Sequence, residues 1–125
     1  MGGNKQLAGS EARLEEFRSC LYNHIRSRVP GIFSLLELAC LRSYGVGVLD
    51  LLFEFPGRLY ELLLRYYGST EAADYAATII FLNPIVECLG DVRLSREKLL
   101  ASLKSFNDRY FLELISRYLG STNES

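Results

Sequence analysis

The sequence predicts an all-α chain, folded as a single-domain bundle of about five to six helices. Apolar residues recur at spacings of three and four along most of the chain, and no segment alternates with period two over a useful length. Turn-forming residues fall between these stretches, at Val29-Pro30-Gly31, Gly45, Gly68 and Gly90. At 125 residues and 49% hydrophobic composition, the chain fits one domain with a sizeable core. Residues 1–9, rich in glycine and polar side chains, are read as a disordered tail; 10–120 form the helical domain and 121–125 a second tail.

In the first helix Ser10 is the expected N-cap, with Glu11, Glu15 and Glu16 early, where the dipole favours acids. Leu14, Phe17, Leu21 and Ile25 make its apolar stripe. Residues 32–44 are apolar almost all round, interrupted by Ser34, Glu37, Arg42 and Ser43, which predicts a helix in the centre of the bundle. Gly45 ends it. Leu49 to Phe55 reads as a short helix or an irregular link. Pro56 suits the first position of the next helix. There Leu59, Leu62, Leu63 and Tyr66 form one stripe and Tyr60, Leu64 and Tyr67 another, together about 200° of arc at about 100° per residue. Such a helix packs on two sides.

Ser69 or Thr70 caps the next helix, whose Ala72, Ala73, Ala76 and Ala77 allow close approach of a neighbour, and Asn83-Pro84 is expected to break or kink it. Ser95 caps a long C-terminal helix, 95–119, carrying Leu99, Leu103, Phe106, Tyr110 and Leu114; Asn107-Asp108 marks a point where it could divide. The twelve residues Leu59–Thr70 return as Phe111–Thr122 with seven identities, but the likeness stops abruptly upstream. Gly68 and Gly120 read as C-caps, Arg65 and Arg117 as cations near a helix C-terminus, and the segment as a helix ending used twice.

Net charge is −1, so general attraction to nucleic acid or an anionic membrane is not indicated. The longest apolar run, Ala76 to Leu82 broken by Thr78, is well short of the roughly 18 residues that span a bilayer. The N-terminus has no secretory h-region. A soluble, cytoplasmic protein is expected. Cys20, Cys40 and Cys88 are odd in number, widely spaced and set among apolar residues, which predicts three reduced core thiols.

Chemistry-bearing motifs are few. His24 is the single histidine, so sites built on several histidines are excluded by count. Glu-x-x-His pairs, a phosphate-binding glycine loop and a Gly-x-Ser-x-Gly elbow are absent. Glu37, on the most apolar helix, is expected to face solvent or pair with a base such as Arg42. No catalytic residue, metal ligand or cofactor is assigned. Arg18 and His24, spaced Arg-x5-His, resemble the ribonuclease motif of helical HEPN domains. With Arg26 and Arg28 they make the candidate nucleic-acid face, offset by Glu11, Glu15 and Glu16.

Pro56-x-x-Leu59-Tyr60-x-x-Leu63-x-x-x-Tyr67-Gly68, followed by Glu71-Ala72-Ala73 and an apolar helix to Leu89, resembles small archaeal helical domains of the Nitrosopumilus-type output kind. The resemblance covers about residues 56–90 and implies an archaeal source and a signalling or adaptor role without catalysis. Two functions follow. One is a non-catalytic interaction or adaptor module, self-associating as a dimer or binding a protein partner through Tyr60, Leu64, Arg65, Tyr67, Phe106 and Tyr110. The other is an RNA-binding or ribonuclease-like protein acting through the Arg18/His24 face.

Overall fold

The computed structural model describes residues 2–91 and 93–121, and all its regular structure is helical. Among the described residues there are seven helices: α1 (Gly2–Arg28), α2 (Pro30–Tyr44), α3 (Val48–Glu54), α4 (Pro56–Tyr67), α5 (Thr70–Leu89), α6 (Arg96–Lys104) and α7 (Asp108–Ser121). The all-α bundle is as expected, with one or two more helices than the sequence suggested.

Helix α1 is helical from Gly2, so Ser10 lies inside it rather than at its cap. The extension runs through Lys5, Gln6, Leu7 and Ala8, all strong helix formers. The proposed C-terminal tail falls beyond the described residues from position 122 onward. Gly120 is another difference. It sits within α7, whereas Gly68 ends α4 in the left-handed conformation at φ 84°, so only one copy of the repeated segment is capped at its glycine.

The expected caps at Ser69 and Ser95 are present: their hydroxyls accept from the N–H groups of Ala72 and Lys98. Pro56 opens α4 as predicted. Helices α3 and α4 have no such local cap, because Gly47 and Phe55 precede them. Carboxylates from elsewhere serve instead. Glu37 of α2 accepts from Val48 N–H at 2.6 Å, and Asp108 of α7 accepts from Gly57 N–H at 2.8 Å. Glu37 therefore neither floats in solvent nor needs Arg42; it holds the start of α3. The approach is close enough that a Cβ on Gly47 would stand 2.7 Å from Glu37 Oε1.

Helix α5 does not break at Asn83-Pro84. Pro84 has no N–H, and its ring would collide with the carbonyl four residues back, so the preceding turn widens into a π-turn over Thr78–Leu82 and the helix continues to Leu89. The continuous helix is 20 residues long and, by length and composition alone, apolar enough to cross a membrane; 56% of its most apolar window is buried in the fold. Such burial also describes a core helix, and α5 is one: α1, α4 and α6 pack against it. The 95–119 segment is two helices, divided before Asp108 at Phe106, which takes a φ of 57°.

The core is centred on α4 and α5, with Leu59, Leu63, Phe81, Ile85, Leu99 and Phe111 among its fully enclosed side chains. Leu21 and Ile25 enter it from α1. Helix α2 is not central. It packs chiefly on α1 and α3 and buries only Phe33, Leu36 and Cys40.

Candidate functional site

The stripe of α4 expected to meet a partner is largely used inside the chain. Tyr60 is 3% exposed, and its hydroxyl donates to Asp74 Oδ1 of α5 at 2.5 Å. Lys104 Nζ of α6 donates to the other oxygen, Oδ2, at 2.8 Å. Burial alone would raise the Asp74 pKa, but the bonds from Lys104 and Tyr60 and the Lys104 charge outweigh it, and the net direction is down. Burial and the neighbouring carboxylate both push the Tyr60 phenol well above its usual range. Leu64 and Tyr67 are half-buried against the core, and Arg65 donates to the Tyr44 hydroxyl at 3.0 Å. Tyr110 is half-buried too. Phe106 alone of the six is an exposed apolar side chain, at 55%, and its ring edge lies over Gly57.

Leu14, Phe55, Tyr66, Tyr75, Ile79 and Phe106 are exposed elsewhere, but four exposed apolar side chains gather on α2. Ile32, Leu35, Leu38 and Leu41 are 38–53% exposed. At about 100° per residue, Phe33, Leu36 and Cys40 cluster within a narrow arc, while Leu35 and Leu38 point away from it and Ile32 and Leu41 flank them. Thus α2 is apolar on both faces, as its composition indicated, but has neighbours on one. Between α1 and α2 runs an open groove of about 600 Å³ with Tyr22, Arg26, Phe33, Glu37, Leu38 and Leu41 along it.

The arginines of α1 are engaged in structural contacts. Arg18 pairs with Asp50 of α3 at 2.8 Å and lies over the Phe53 ring at 5.3 Å. Arg28 grips Glu87 of α5 with two bonds, at 2.8 and 2.7 Å. That pairing lowers the Glu87 pKa, first through the hydrogen bond and then against a smaller burial effect. Arg26 lies over the ring of Tyr22, its centre 5.7 Å away. A groove of about 250 Å³ beside Arg18 is lined by Glu15, Ser19, Tyr22, Asn23 and Leu49; His24 is not part of it. Arg18 and His24 do not share that groove, in keeping with the 120° that six helical residues put between them.

His24 has other neighbours. Cys20, one turn before it on α1, is joined to Cys88 of α5 by a disulfide with a Cα–Cα distance of 5.9 Å. The expectation of three reduced thiols therefore fails for two of them. The sequence showed the Cys-x3-His spacing but carried no sign of Cys88, which is 68 residues away from Cys20 and meets it only through packing of α1 on α5. Sulfur atoms of both cysteines and a ring nitrogen of His24 lie within 4.8 Å of one another, all half-buried. The metal and cofactor assignment from sequence left this trio out. Cys40 is the free thiol among the described residues. Burial, then the charge of Glu37, pushes its pKa up to about 11, which leaves it protonated and unreactive at neutral pH.

No buried side-chain nitrogen or oxygen among the described residues lacks a hydrogen-bond partner. No protein-family model, curated protein or solved structure matches this chain.

Proposed function

We propose that this chain is a non-catalytic interaction module that self-associates through the outer face of α2. The observation that carries the reading is the row Ile32, Leu35, Leu38 and Leu41, each about half exposed on a helix whose opposite face is already buried. Monomers rarely leave a large contiguous apolar patch in water. The four residues together offer about two aliphatic side chains' worth of surface, and each is worth about 1.5–3 kcal/mol when covered. Two copies packing this face on itself gain about 6–12 kcal/mol, against an association cost of about 4–15 kcal/mol. Such a balance supports a weak, concentration-dependent dimer of the isologous kind.

A second copy fits this face better than a lipid surface does. An interfacial helix sets aromatic anchors on its apolar face and many cations on the other; α2 has Phe33 buried and Arg42 as its one basic residue. The near-neutral net charge leaves little repulsion between copies. The structural pairing of Arg18 and Arg28 weighs against the nucleic-acid reading, since phosphate contacts need free cations.

Sedimentation analysis of the wild type and a Leu35→Glu, Leu38→Glu variant tests the proposal. The wild type is expected to shift from monomer to dimer as concentration rises into the millimolar range, and the variant to stay monomeric with unchanged helicity. A wild type monomeric throughout, or a variant that dimerises equally well, would overturn it.

A further inference from the structure

We infer that Cys20, His24 and Cys88 form a zinc site, filled when the two cysteines are reduced and closed when they are joined as a disulfide. Cys20 and His24 are four residues apart on α1, so they share one face a single turn apart, the spacing with which a helix presents two ligands to one ion. Cys88 meets them from the last turn of α5. One ligand atom from each lies within 4.8 Å of the other two. A tetrahedral zinc with bonds of about 2.3 Å to sulfur and 2.0–2.1 Å to nitrogen sets its ligands about 3.6–3.8 Å apart. Once the sulfurs are unlinked, they are free to separate from bonding distance toward that spacing, and the 4.8 Å span of the three ligand atoms is already close to it. Two thiolates and an imidazole are a donor set that favours zinc over calcium or magnesium.

Access and surroundings are also suitable. Both cysteines line an open groove of about 360 Å³ bordered by Arg13, Glu16, Phe17 and Leu89, which gives an ion a route in from solvent. Three protein ligands leave the fourth position to water.

The exchange balances as follows. A dithiol reductant supplies two electrons and two protons; the Sγ–Sγ bond breaks, Cys20 and Cys88 become thiols, and the reductant closes into its own disulfide. Zinc then binds both sulfurs as thiolates and neutral His24 through a ring nitrogen, releasing two protons to solvent. A disulfide oxidant reverses the sequence: it takes the two electrons from the thiolates and two protons from solvent, becomes a dithiol, and leaves Cys20 and Cys88 joined and the ion free.

The full chain, either oxidised or reduced with a phosphine, is titrated with Co²⁺ alone and then with Zn²⁺. The reduced wild type should take up one equivalent of Co²⁺ with thiolate charge-transfer absorption, give it up to Zn²⁺, and bind neither ion tightly when oxidised. Cys20→Ser and Cys88→Ser should abolish the charge-transfer signal, while Cys40→Ala should leave one equivalent. His24→Gln should weaken zinc binding by more than the roughly 10–100-fold that loss of an outer-shell partner brings. His24 is half-buried at the surface, so this variant tests ligation without removing core packing. Reduced protein that binds no ion, oxidised protein that binds equally well, or a His24→Gln variant of wild-type affinity would each overturn the assignment.

Discussion

Asp74→Ala removes the acceptor shared by Tyr60 and Lys104 and is expected to cost about 2–4 kcal/mol of stability. The larger part comes from Tyr60, whose hydroxyl is buried and bonded at 2.5 Å to a charged oxygen; such a bond contributes about 1.5–3 kcal/mol. The Lys104 pair, with side chains 40% and 25% exposed, adds at most about 1 kcal/mol. Urea unfolding followed by circular dichroism, run as double-mutant cycles, separates the two. Asp74→Ala with Tyr60→Phe should give a coupling of about 1.5 kcal/mol, and Asp74→Ala with Lys104→Ala less than about 1 kcal/mol. The pH dependence has a definite sign. The folded Asp74 pKa is depressed, so its contribution is present above the ordinary carboxylate pKa of about 3.9 and is lost as pH falls through the folded value. The folded Tyr60 pKa is raised, so its contribution is present below about pH 10 and is lost as pH climbs through the folded value. Tyr60→Phe should flatten the alkaline loss and leave much of the acid loss. A Tyr60–Asp74 coupling below about 0.5 kcal/mol at neutral pH would refute the reasoning.

The remote helix caps supply two further tests. Gly57→Ala places a Cβ 2.7 Å from Phe106 Cδ1, 2.9 Å from Asp108 Oδ1 and 3.2 Å from Phe106 Cα, so part of the α6–α7 turn must move; an overpacking cost of about 1–3 kcal/mol is expected, and an unchanged thermal midpoint would contradict it. Glu37→Ala leaves Val48 N–H without its acceptor and should cost about 0.5–2 kcal/mol, with faster hydrogen exchange at the start of α3; exchange as slow as in the wild type there would show that the cap contributes little.

Features set by neighbours in sequence were legible from sequence. Ser69, Ser95 and Pro56 act within a single turn, and each stands where its local chemistry predicts. The division at Asn107-Asp108 was visible for the same reason. Features set by distant packing were not. Glu37 serves a helix that begins eleven residues later, Asp108 one that begins fifty-two residues earlier, and Cys88 meets Cys20 only because α5 packs on α1. The continuity of α5 belongs with these: Pro84 signals a stop, and only the packed environment shows that a wider turn accommodates it. Tyr60 failed as a candidate interface residue on similar grounds. A broad apolar arc on α4 means two packed sides, and most of both is covered inside the chain, Tyr66 excepted.

The same arithmetic applied to α2 leads to a different outcome, and connectivity explains why. One residue, Val29, links α2 to α1, and three, Gly45 to Gly47, link it to α3, with a bend of 60° between α2 and α3. Links this short hold α2 beside those two helices, at the margin of a core already filled from α4, α5, α6 and α7. A helix can be apolar all round because it is surrounded or because it awaits a second set of neighbours, and composition does not distinguish the cases. In α2 the row of Leu35 and Leu38 uses only about half of its hydrophobic surface within the monomer, since burial on folding is where such side chains contribute. In the twelve-residue segment that recurs, position 64 is leucine and position 116 serine; Leu64 packs on the core, and Ser116 is exposed. There an apolar side chain stands where the fold covers it and a polar one where it does not. On α2 that correspondence breaks down, and the second copy of the chain proposed for that face would restore it.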